Sequence, residues 1–72
     1  LFFRPMKQAD GFRVVLCTCG SAEEAAKVGR GLVERELAAC VTVVPGIRSI
    51  YRWKGVVEEA EELLLVIKTR WD

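Results

Sequence analysis

At 72 residues the chain has room for one domain, and a domain of this size buries only about 60% of the surface its unfolded chain exposes, so partner chains or further sequence are expected to complete its core. Eleven basic and ten acidic residues leave a net charge of +1 with no Lys/Arg run, which argues against a nucleic-acid partner. No apolar stretch approaches the ~20 residues that span a bilayer, which argues against a membrane partner.

Residues 1–11 read as a leader or a disordered N-terminal segment. They are too short and too interrupted for a signal-peptide core, and Met6, the sole methionine, is a candidate start. Without a secretory signal, the three cysteines read as reduced thiols in a cytoplasmic protein. A partial domain is expected over residues 12–72. Residues 12–18 (FRVVLCT) are β-branched and apolar, as a buried first strand requires. Ser21 and Glu24 then have the spacing of a capping box, which starts a helix. Ala22, Ala26, Gly29, Val33 and Leu37 recur at helical spacing, widened by Ala25, Val28 and Leu32, so the helix packs one side on a sheet. A glycine inside a helix costs about 1 kcal/mol relative to alanine, so Gly29 within the stripe predicts close approach of the helix backbone to a strand.

Residues 40–44 form a second strand, Pro45-Gly46 marks a bulge or bend, and residues 47–53 resume it. On the resumed strand Ile50 and Arg52 share one face, Tyr51 and Trp53 the other. Gly55 after Lys54 suits a tight hairpin loop, and the chain returns through Glu58, Glu59, Glu61 and Glu62 to the apolar run 63–67, a central strand. These acids oppose Arg48, Arg52 and Lys54, which predicts cross-strand charge pairs ahead of a hard-cation site. The order is the first two thirds of an α+β, ferredoxin-like (split β-α-β) domain, truncated to β-α-β-β with a long hairpin. Val15, Leu32, Val43, Leu65 and Ile67 are the expected core, and the second helix and fourth strand are expected to follow the last residue.

Three blocks resemble the CutA family of divalent-cation tolerance proteins: VVLCT at 14–18, LVERELAACVTVVPGIRSIYRWKG at 32–55 and ELLLVIKT at 62–69. The middle block is the specific one, with Ala38-Ala39-Cys40, Pro45-Gly46, Ser49, Tyr51, Trp53 and Gly55 in register. The resemblance implies a ferredoxin-like fold, a homotrimer built through the long hairpin, and a role in tolerance to divalent cations. Copper or another divalent cation is the implied metal, with no organic cofactor. Architectural kinship with the P-II signalling proteins supplies the alternative, a regulatory trimer binding a small anionic ligand at subunit interfaces. The family's C-terminal His-Pro-Tyr segment and final strand are absent, as is any histidine, so a copper site pairing the first-strand cysteine with those histidines is half represented.

Cys17 matches a position where some family members carry a copper-ligating cysteine. Cys17 and Cys19 are two apart, so on a strand they share a face, just before a helix N-terminus whose dipole favours thiolate. Soft thiolates suit Cu(I) or Zn, while the competing reading makes Cys17 a small buried hydrophobe. Cys40 enters the second strand at a tight corner and is expected to be buried. Tyr51 and Trp53 read as core or subunit-interface aromatics, or as the wall of a pocket between subunits. Without histidine no nucleophile-base pair is visible, so no enzyme is expected. A thiol metallochaperone would use C-x-x-C, whereas the spacing here is C-x-C.

Overall fold

The computed structural model describes the backbone of residues 2–7 and the whole of residues 11–70. Residues 1, 8–10, 71 and 72, parts of the expected N-terminal segment and domain end, lie outside the described residues. The elements are β1 (Phe2–Lys7), β2 (Phe12–Cys19), α1 (Ala22–Glu34), β3 (Cys40–Trp53) and β4 (Val56–Arg70). From β2 onward this is the expected β-α-β-β. β1 is an additional strand, in a segment where the sequence reading placed no element.

The strands form one sheet in the order β1-β2-β4-β3, with every neighbouring pair antiparallel. β2 and β3 therefore run parallel with β4 between them, and α1 makes the crossover: a split β-α-β unit. Local chemistry fixes both helix ends. The Ser21 hydroxyl accepts the Glu24 N–H at 3.1 Å, and Glu24 Oε1 accepts the Gly20 N–H at 3.2 Å, one residue earlier than a capping box reaches. At the other end Glu36 N–H donates to the Val33 carbonyl and Leu37 N–H to the Leu32 carbonyl, a Schellman pattern. It places Glu36 at φ 58, in the left-handed region where glycine is the usual choice.

The core comprises Val15, Cys17, Cys19, Ala25, Ala38, Leu65 and Ile67, with Val28, Leu32, Val41 and Leu63 packed against it. Val15, Leu65 and Ile67 are buried as expected, whereas Val43 is 41% exposed. β3 is one of the two edge strands of the sheet, and Val41 is the β3 residue that packs against the core under α1. Helix packing is rotated from the expected stripe. Ala25, Val28, Gly29 and Leu32 face the sheet, while Ala22, Ala26 and Val33 stay exposed and Leu37 lies exposed beyond the helix end. Gly29 fits the rotation, because a Cβ there would lie 3.3 Å from Val41 Cγ1, so any larger residue would push Val41 aside by a few tenths of an ångström or move the helix back from β3.

β3 is one continuous strand with a bulge. Val44 pairs with Leu64 and Ile47 with Glu62, so Pro45 and Gly46 together oppose Leu63, and Gly46 adopts φ +71. The extra residue shifts the side-chain alternation by one. Before it, Val41 and Val43 share the helix-covered face with Leu65 and Ile67; after it, Arg48, Ile50 and Arg52 continue that face, opposite Glu61, Glu59 and Val57. Tyr51 and Trp53 thereby fall on the helix-free face, in line with Cys40, Thr42 and Val44. Lys54 (φ 51) and Gly55 (φ 79) close the hairpin with both central residues at positive φ, the type I′ geometry that matches strand twist.

Candidate functional site

Cys17 and Cys19 sit side by side on β2 under α1, opposite Leu65 and Leu63 of β4, and Cys19 is 0% exposed. Strand alternation puts them on one face, as expected, but the electrostatics run opposite to the dipole expectation. Burial pushes the Cys17 thiol up from its ordinary value. Cys19 is pushed up to about 11, by burial first, then by Cys17 and by the Glu24 carboxylate. Glu24, which accepts from the Gly20 N–H at the start of α1, thus places a negative charge near the thiols, and burial with that charge holds Cys19 in its neutral form. At neutral pH both thiols are protonated.

A groove of about 280 Å³ opens beside Cys17, walled by Val15, Val28, Leu32, Leu37, Ile67 and Thr69. Its one hydroxyl, on Thr69, is engaged with the Leu37 carbonyl. Among the described residues no group of three or more His, Cys, Asp or Glu side chains is arranged to hold a metal ion. The cysteine pair offers two soft donors, fewer than a closed Zn site takes and enough for a two-coordinate thiolate metal.

Cys40 is exposed, correcting the expectation of burial. The small residue filling the corner is Ala38, 6% exposed, while Cys40 lies on the helix-free face with its sulfur 4.0 Å from the Thr42 hydroxyl. Tyr51 and Trp53 are 43% and 58% exposed, beyond the bulge and on the face opposite the buried cysteines, so the structure does not bring the aromatic pair and the thiol pair together. Lys54 stands over the Trp53 ring at 5.8 Å. Of the expected charge pairs, Arg48 reaches Glu59 at 3.4 Å and Glu61 at 3.5 Å. Arg52 instead pairs in register with Val57, and Glu58 and Glu62 oppose Tyr51 and Ile47. Pro45, Gly46 and Gly55 hold the expected structural positions.

On the helix-free face of the sheet Val14, Leu16, Leu64 and Val66 are half-buried and Val44 is 38% exposed, with no covering layer among the described residues. The apolar alternate positions of the buried first strand (14–18) and of the central run 63–67 carry the signal for a second covered face. Among the described residues no helix is long and apolar enough to cross a membrane.

The family model for the CutA1 divalent ion tolerance protein matches residues 13–72. A CutA homolog of Xenopus laevis is 60% identical over 53 residues, which cover 74% of this chain and 35% of that protein. The divalent-cation tolerance protein CutA of Thermus thermophilus is 57% identical over 56 residues, 78% of this chain and 54% of that one. A solved structure of a divalent cation tolerance protein from the same organism superposes with a TM-score of 0.79 at 55% identity, covering 81% of this chain and 56% of that one. A chloroplastic protein CutA of Arabidopsis thaliana is 47% identical over 57 residues, 79% of this chain and 31% of that protein. The chain thus spans about a third to a half of the length of these curated relatives. With the split β-α-β topology, the bulged hairpin and a family match over residues 13–72, the chain belongs to the CutA1 divalent ion tolerance family.

Proposed function

We propose that this chain serves in tolerance to divalent cations as a non-catalytic, copper-responsive protein that works as a cytoplasmic homotrimer. The family match over residues 13–72 carries this reading. The buried Cys17-Cys19 pair supports a soft metal over a hard one, since the glutamates that could favour a hard cation either pair with Arg48 or lie along an exposed strand arm. Assembly is supported by a run of exposed apolar side chains at the far end of the hairpin: Ile50 at 67%, Trp53 and Val56 at 58% and Val57 at 59%. Two further features favour neighbours: the uncovered apolar sheet face, and the long edge that β3 presents at the rim of the sheet. The P-II-like reading is not favoured, because the matches are to tolerance proteins.

Copper titration tests the metal half of the proposal. Cys17→Ser is expected to weaken Cu(I) binding, and Cys17→Ser with Cys19→Ser to abolish it. Because the thiols are held protonated and must lose their protons to bind, affinity should rise with pH from 6 to 9. An affinity unchanged by both substitutions would remove these ligands from the proposal. Light scattering tests the assembly half: Trp53→Glu with Val57→Glu should shift the particle mass from three chains towards one, and a monodisperse monomer before substitution would refute the trimer.

A further inference from the structure

β1 occupies a sheet position that the topology reserves for another element. α1 links β2 to β3 and leaves a one-strand gap, which β4 fills. A second unit of the same kind, starting from β4, would straddle β2 and set its closing strand on the far side of β2, parallel to β4. β1 lies there. It pairs antiparallel with β2 from Phe2↔Thr18 to Lys7↔Arg13, and so runs parallel to β4. It also precedes the residues that the family model matches, so the family match does not account for it.

The register shows how this edge is built. Proline has no N–H, and within a sheet its nitrogen is tolerated on the unpaired side of an edge strand. Pro5, opposite Val15, therefore turns its nitrogen away from β2, and by alternation so do Phe3 and Lys7. The backbone groups of Phe2, Arg4 and Met6 then face β2 and exchange bonds with Thr18, Leu16 and Val14. On the opposite side of β2, the N–H groups of Val15, Cys17 and Cys19 are left for β4.

We infer that residues 2–7 act as an exchangeable surrogate for the closing strand of a β-α-β-β-α-β sheet, capping the outer edge of β2 in cis until a closing strand displaces them. A capped edge offers no template to another chain. The inference does not depend on copper, so its failure would leave the proposed metal role untouched.

Residue-resolved amide exchange tests it on the intact chain, on a chain lacking residues 1–10, and on Arg4→Pro, which removes an N–H aimed at β2 while keeping the length. Both variants should exchange at Val14, Leu16 and Thr18 at least about tenfold faster than the intact chain, while Val15, Cys17 and Cys19 stay slow. Phe3→Pro, whose N–H faces outward, should leave the pattern as it is. A synthetic peptide of residues 2–7 should bind the shortened chain at least about tenfold more tightly than the intact one, because β1 competes for the edge. Three results would overturn the inference: fast exchange at Val14, Leu16 and Thr18 in the intact chain, loss of protection at Val15, Cys17 and Cys19 in both variants, or equal peptide binding to the two chains.

Discussion

The two halves of the β3/β4 ladder belong to one strand pair, offset by one residue at the bulge, yet differ in everything that burial controls. On the near side of the bulge, α1 lies over the ladder, and Leu65 and Ile67 are 0% and 7% exposed. On the far side the same two strands continue to Trp53 and Val56 with no third element above them among the described residues, and Ile50, Trp53, Val56 and Val57 are each more than half exposed. Pairing satisfies the backbone in both halves. Burial of side chains needs a covering layer, which the chain provides from its own helix in one half and, on the proposed reading, from neighbouring chains in the other.

That contrast can be broken most forcefully at its buried end. Leu65→Ala removes a fully buried side chain and is expected to cost about 2–5 kcal/mol in urea unfolding, whereas Val57→Ala in a monomeric sample should cost less than about 0.5 kcal/mol. If Val57→Ala proves as costly as Leu65→Ala only at high protein concentration, the far half is covered by other copies. The hinge between the halves comes next. Gly46→Ala meets no neighbour but forces a side chain into positive φ, which should cost about 1–2 kcal/mol in thermal or urea melts. Ser21→Ala leaves the Glu24 amide without its side-chain acceptor and should cost about 1 kcal/mol, confined to the helix-covered half. Smallest is Arg48→Ala on the exposed half. Both of its ion pairs are solvent-facing, so a change below about 1 kcal/mol that shrinks further in high salt is expected.

Much of the fold was legible because it depends on neighbours in sequence. The Ser21/Glu24 cap, the bulge at Pro45-Gly46 and the Lys54-Gly55 turn each follow from backbone chemistry within a few residues. The candidate site was half legible. Alternation predicts that Cys17 and Cys19 share a face, but not that both thiols stay protonated, because a nearby helix is visible in sequence while the depth of burial and the position of Glu24 are not.

By itself, then, the sequence determined the element order from residue 12 onward, the places of the turn and the bulge, and the family, all of which rest on local propensity or on a long ordered motif. Tertiary structure alone decided which face each arm of the hairpin presents, since one bulge residue inverts the alternation and carries Tyr51 and Trp53 to the helix-free side. It also decided that Cys40 is exposed while Cys17 and Cys19 are sealed under α1, and that β1 joins the sheet. Each of these outcomes depends on register and on contacts between residues far apart in the chain, and a side chain carries no local mark of the partner it will meet there.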